Sequence, residues 1–254
     1  MKYPRLGVNI DHVATLRQQR GEFYPEVFRA ASLSLDAGAE QITIHLREDR
    51  RHIQDHDVPE VHQVCRQNKK LLNLEMGMTE EMLEIATKEK PDWICLVPEK
   101  RQERTTEGGL DVGPSQIERV REFCDSLKKN LPDTKISLFV EGTPEVMKQC
   151  LTTNSDAVEI HTGQFAMDFL AKKDLTHHLE MYQKSWELIH KSGRGFHAGH
   201  GLTHESVLPL LEQGLFEEYN IGHWIISEAV FLGLGEVVKQ LKTLMDKHPL
   251  KGIV

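Results

Sequence analysis

Eight short runs rich in Val, Ile and Leu recur along the chain, each followed by a polar connection and a helix-length amphipathic stretch. A short apolar run bounded by turn residues reads as a buried strand, and strands alternating with helices read as units of a parallel sheet. The runs are Leu6–Asp11, Gln41–Leu46, Leu71–Met76, Trp93–Pro98, Ile136–Val140, Ala157–Thr162, Gly195–Gly199 and Glu218–His223. Between them, Thr79–Lys90 shows the helical period, with Thr79 as N-cap and Met82, Ile85 and Ala86 along one side. A chain of 254 residues has room for two domains at about 150 residues each. Eight alternations without a long Pro, Gly or Ser linker favour instead an α/β fold of one domain over residues 1–254, a (β/α)8 TIM barrel. The stretch from Phe165 to Ser192 is too long for one crossover helix and predicts an extra one.

Composition narrows the class. Hydrophobic residues are 39% of the chain, which suits a globular protein and excludes disordered and fibrous ones. Acidic residues outnumber basic ones by 39 to 31, a net charge of −8 that argues against a nucleic-acid partner. Cys65, Cys95, Cys124 and Cys150 are far apart with no CxxC pair, so they read as reduced and buried. No leader-like amino terminus and no membrane-length apolar run is present, and the expectation is a soluble cytoplasmic protein with no membrane partner.

Side chains alternate faces along a strand, and here that parity becomes informative about function. With Val8 and Ile10 facing the helices, Asn9 and Asp11 face the barrel axis; with Ile42, Ile44 and Leu46 outward, Thr43 and His45 face inward. The same split turns Asn73 and Glu75 inward on the third run, and Glu159 and His161 on the sixth. Barrel interiors are normally filled by bulky aliphatic residues, and a buried ionisable group costs several kcal/mol unless paired or solvated. Carboxylates and imidazoles at the carboxy ends of strands therefore predict a wet catalytic cavity, with Glu75 and His45 as proton carriers.

Two further segments read as anion sites. Ala198–Thr203 (AGHGLT) and Asn220–His223 (NIGH) leave the seventh and eighth runs, where barrels commonly bind phosphate between glycine backbone and a helix amino terminus. His200 and His223 would then stand at the rim of the cavity. The arginine-rich loop beginning at His45 carries Arg47, Arg50 and Arg51, with Arg17 and Arg20 near in sequence. It reads either as a second phosphate receptor or as a charged loop paired with its own Glu48, Asp49 and Asp55. Among fourteen histidines there is no HxH or HExxH, and the pairs Asp11-His12 and His177-His178 are poor ligand sets, so no metal is expected. No glycine-rich nucleotide motif occurs, and only Lys100 is placed for a Schiff base.

The segments GVNIDHVATLRQQRG (7–21), ITIHLREDRRHI (42–53), NLEM (73–76), LVPEKRQERTTEGGLDV (96–112), EIHTG (159–163), AGHGLT and NIGH together resemble the pyridoxine 5′-phosphate synthase family, over nearly the whole chain. The resemblance implies a (β/α)8 barrel with additional helices, assembled as a homo-octamer. It implies condensation of two small phosphorylated substrates, 3-amino-2-oxopropyl phosphate and 1-deoxy-D-xylulose 5-phosphate, to pyridoxine 5′-phosphate, phosphate and water, without metal or other cofactor. By motif, His45 and Glu75 would be proton acceptors, His200 the proton donor, and Glu159 the stabiliser of the transition state. Asn9, Arg20, Gly201, Gly222 and His223 would hold the aminoketone phosphate; Asp11, His12, Arg47, His52 and Thr105 would hold the deoxyxylulose phosphate. One position departs from the family pattern: His197 stands where Asn is expected, and its expected effect is on local hydrogen bonding or on His200. The rival readings are another phosphosugar aldolase or epimerase of the barrel type, and a non-catalytic phosphometabolite sensor.

Overall fold

The computed structural model describes residues 2–98 and 108–252; Lys100 and Thr105 lie outside the described residues. Eight parallel strands close into a barrel in chain order: β1 (Arg5–Asn9), β2 (Gln41–His45), β3 (Leu71–Met76), β4 (Trp93–Leu96), β5 (Lys135–Val140), β6 (Ala157–His161), β7 (Gly195–Gly199) and β8 (Glu218–Ile221). Around them pack α1 (Asp11–Arg20), α2 (Val27–Asp36), α3 (Asp57–Gln67), α4 (Glu80–Glu89), α5 (Ile117–Asn130), α6 (Pro144–Cys150), α7 (Gly163–Leu170), α8 (Thr176–Lys191), α9 (Leu208–Gln213), α10 (His223–Leu232) and α11 (Leu234–Met245). No described helix is long and apolar enough to cross a membrane.

The helix signals in the sequence act as expected. Thr79 caps α4, its hydroxyl oxygen accepting from the Met82 amide at 3.3 Å, and Met82 and Ala86 are buried beneath it. Thr143 does the same for α6, whose first turn carries Pro144, a residue that lacks the donor such a turn leaves unpaired. The extra helix expected after the sixth strand is present as the pair α7 and α8. Two more were not read from the sequence: α1 and α10 precede the regular helices α2 and α11. Each of the three added helices begins after a single residue beyond its strand, so its amino terminus stands at the carboxy mouth of the barrel.

That geometry corrects two strand ends. Asp11 belongs to the first turn of α1 and His223 to that of α10; neither is a strand residue. The loop after β7 also differs from expectation, since no helix follows until the short α9 at Leu208.

The main hydrophobic core lies between barrel and helices. Leu6, Val8, Ile42, Ile44, Leu72, Leu74, Ile94, Leu138, Val158 and Ile160 are all fully buried on the outward face of the strands. Inside the barrel the only separate apolar cluster among the described residues is Cys95, Val97 and Phe139. The rest of the interior is polar, as strand parity predicts. The four cysteines are free and buried.

Candidate active site

Register sets the layers of the interior. His45 pairs with Glu75 and Glu75 with Cys95 across β2, β3 and β4. Phe139, Glu159, His197, Glu218 and Arg5 run in register through β5, β6, β7, β8 and β1. Parallel pairing keeps partnered residues on one face, so each row aims at the axis.

At the floor, Arg5 donates two hydrogen bonds to Glu218 Oε2, at 3.0 and 2.8 Å, and Gln41 Nε2 donates to Oε1 at 2.8 Å. Burial opposes the charge of Glu218, but His197, Arg5 and Asn220 hold its carboxyl below the ordinary range. Asn220 joins this floor to the layer above: its Nδ2 donates to Glu218 Oε1 at 3.0 Å and to Glu159 Oε2 at 2.7 Å. Its Oδ1 accepts from Thr43 Oγ1 at 2.9 Å. Glu159 therefore sits above an ionised carboxylate with one strong donor. Burial first, and Glu218 second, push it up to about 8. Gly199 makes room for it, since a Cβ there would stand 2.1 Å from Glu159 Oε1.

Closer to the mouth, His45 Nδ1 lies 4.0 Å from Glu75 Oε2. Burial raises Glu75 well above the usual carboxylate range, and the charges of Glu159 and Asp11 add to it. Asp11 holds this edge together: its Oδ1 accepts from the His45 amide at 2.8 Å and its Oδ2 from Asn9 Nδ2 at 2.9 Å. His52 lies 6.0 Å from His45, ring to ring, and its Nδ1 accepts from the Ile53 amide. Asp11, His45 and His52 offer ligand atoms within 4.8 Å of one another, a set chemically able to hold a divalent cation, although both Asp11 oxygens already accept hydrogen bonds.

A rim of imidazoles completes the mouth. His12 and His223, at the starts of α1 and α10, meet edge to face at 5.0 Å. Burial lowers His12, partly offset by Asp11. His200 has a left-handed backbone, φ +74°, and its ring lies 5.0 Å from His161. Burial, with His161, His223 and His12 adding, pushes it down to about 4. The next residue, Gly201, is also left-handed at φ +78°, a conformation that glycine adopts without strain. Gly222 packs on Asn9: a Cβ there would stand 2.8 Å from the Asn9 Cβ.

The structure thus brings together Asn9, Asp11, His12, His45, His52 and Glu75 on one side, and Glu159, His200, Gly201, Gly222 and His223 on the other. Arg20 is apart, exposed at the last position of α1. Arg17, read from sequence as an anion receptor, is corrected: it is buried and bonded to both oxygens of Asp57 and to the His52 carbonyl. The arginine loop is largely self-paired. Arg50 binds Asp55 and Glu81, while Arg47 and Arg51 share Asp49. His197, instead of touching His200, lies 3.5 Å from Glu218 Oε1 and packs on Trp93. Sequence reasoning passed over Glu218, Cys95 and Gln41 as interior groups. The signal was there for Glu218, because Glu218-Tyr219-Asn220-Ile221 alternates polar and apolar as cleanly as the second strand.

A family model described as "Pyridoxal phosphate biosynthesis protein PdxJ" matches residues 6–247. The pyridoxine 5′-phosphate synthase of Caulobacter vibrioides is 44% identical over 246 residues, covering 95% of each chain. That of Geobacter metallireducens is 47% identical over 243 residues, covering 95% of this chain and 98% of the relative. Among solved structures, thiamine phosphate pyrophosphorylase from Pyrococcus furiosus has a TM-score of 0.60 at 12% identity, covering 96% of both chains. Phosphoribosyl anthranilate isomerase from Thermus thermophilus has 0.58 at 12% identity, over 96% of this chain and 98% of its own. Those two likenesses bear on the barrel fold alone. With a family model spanning nearly its full length and relatives sharing close to half of its residues, the chain is an enzyme and belongs to the PdxJ family of pyridoxal phosphate biosynthesis proteins.

Proposed function

We propose that this enzyme condenses 3-amino-2-oxopropyl phosphate with 1-deoxy-D-xylulose 5-phosphate to give pyridoxine 5′-phosphate, phosphate and water, by proton transfer alone. The observation that carries the reading is the pairing of His45 with Glu75 at 4.0 Å beside a second buried carboxyl, Glu159, beneath a rim of imidazoles. The amine attacks the sugar ketone and water leaves to form an imine. Deprotonation to the enamine, loss of phosphate and water, and an aldol-type closure then produce the aromatic ring. Every step is a proton transfer or an elimination, for which positioned carboxylates and imidazoles suffice.

His45 and Glu75 accept protons in this scheme. The positive charge of the imine favours the ionised form of Glu75, countering the burial that raises it in the empty site. Glu159, held by Asn220, stabilises the charged intermediates. His200 donates. A phosphate dianion at Gly201, Gly222 and the amino terminus of α10 raises an imidazole that burial otherwise keeps neutral. Asn9 and Arg20 complete the aminoketone subsite, and Asp11, His12, Arg47, His52 and Thr105 the deoxyxylulose subsite. The test is to mix purified enzyme with both phosphates in a chelating buffer and follow pyridoxine 5′-phosphate fluorescence. Product that needs both substrates supports the proposal. No product, turnover of one substrate alone, or undiminished product with Glu75→Gln overturns it.

The reading includes a homo-octamer. Supporting it, exposed large apolar residues gather on the added helices: Leu16 on α1, Met167 and Leu170 on α7, and Val230, Phe231 and Leu232 on α10. Contiguous exposed apolar surface of this kind marks contact sites.

A further inference from the structure

We propose that Glu141 and His161 form a carboxylate–imidazole pair that orients and reprotonates His200. This extends the reading of His200 as proton donor, on which it rests, to two residues with no role in the scheme above.

Glu141 follows β5, His161 ends β6 and His200 follows β7, so barrel order alone places the three side by side at the mouth. Nδ1 of His161 donates to Glu141 Oε1 at 2.9 Å, in the tautomer that a carboxylate partner favours. The same oxygen accepts from the Gly109 amide at 3.0 Å, which anchors the carboxylate to the end of the long β4–α5 connection. With Nδ1 committed, Nε2 is the nitrogen of His161 left to face the site. It points at His200: the point where a Gly163 Cβ would stand is 2.7 Å from His161 Nε2 and 3.1 Å from His200 Cδ2. Any side chain at 163 would drive the two rings apart. Phe139 backs both rings, at 5.4 and 6.4 Å.

The charged surroundings give the pair its purpose. The titratable groups facing His200 are His161 from β6, His223 from α10 and His12 from α1, all imidazoles. Glu141 is the carboxylate that reaches this group, and it does so through His161; its other neighbours are the Gly109 amide and the Tyr182 phenol. After His200 gives its proton to the substrate, the N–H bond at His161 Nε2 breaks and one forms on the His200 ring. His161 is left neutral with its Nδ1 proton still on Glu141, and solvent reaching the half-exposed Glu141 side returns the proton.

The experiment is the pH profile of kcat and KM with both phosphates, for wild type, Glu141→Gln, Glu141→Asp, His161→Gln and His200→Gln. An acid must be protonated to act, and removing an opposing carboxylate lowers its pKa. In Glu141→Gln the alkaline limb of kcat therefore moves down by about one pH unit, with KM unchanged, and Glu141→Asp restores it. His161→Gln lowers kcat about tenfold or more. If His200→Gln is inactive while His161→Gln and Glu141→Gln keep the wild-type kcat and limb, the pair has no such role. If His200→Gln is fully active, the donor assignment itself fails. A variant with lost activity and a collapsed near-UV spectrum counts against the proposal unless Glu141→Asp, correctly folded, shows the intermediate profile.

Discussion

Glu159 shows how a residue's charge is decided by its surroundings. A carboxyl pushed up to about 8 keeps its proton in the folded enzyme where the unfolded chain has released it. Between the ordinary carboxylate range and pH 8 the folded state thus binds more protons, and stability falls as pH rises, by at most about 1.4 kcal/mol per pH unit for this one group. Glu159→Gln removes that contribution. The variant is expected to melt near the wild type at pH 5 and above it at pH 8; equal differences at both pH values would show that Glu159 ionises normally. The identity of this residue as an axis group was legible from the alternation of its strand. Its protonation was not, because Glu218, the second cause of the shift, lies 59 positions away and meets it only through Asn220.

Among elements, α1 shows what local pattern misses. Its polar sequence, with buried Asp11 at the start and buried Arg17 near the end, carries only a weak helical stripe, so the segment reads as strand and loop. Its anchor is tertiary: Arg17 forks onto Asp57 of α3 at 2.7 and 2.6 Å, both side chains nearly inaccessible, and Asp57 also accepts from the Gln54 amide. Breaking a buried pair by removing one partner costs about 3–5 kcal/mol, because the other charge stays buried and unpaired. Asp57→Ala is expected to lower stability by about that amount, measured by urea unfolding, and to raise the KM of the substrate that Asp11 and His12 contact. A loss of less than about 1 kcal/mol would place the pair with ordinary surface ion pairs. The arginine loop makes the same point, since its composition fits a phosphate receptor and a self-paired loop equally well. The distances to Asp49, Asp55 and Glu81 distinguish them.

For the whole molecule, the three added helices do two jobs: their amino termini crowd the mouth with Asp11, His12, Gly163 and His223, and their outer faces expose apolar side chains. Phe231, 81% exposed, is the most accessible of these. Phe231→Glu is expected to reduce the mass seen in analytical ultracentrifugation while leaving the far-UV spectrum unchanged; an unaltered assembly would remove this face from the interface. The number and order of the strands, the inward set on β2, β3 and β6, and the cap of α4 follow from the chain alone, because periods of two and 3.6 and a capping hydroxyl act over a few residues. Where strands hand over to helices at Asp11 and His223, which arginines are free, and which carboxyls keep a proton depend on neighbours far apart in sequence. Barrel closure brings β8 against β1 and stacks the polar rows along one axis, and burial and charge then act on groups that no local pattern connects.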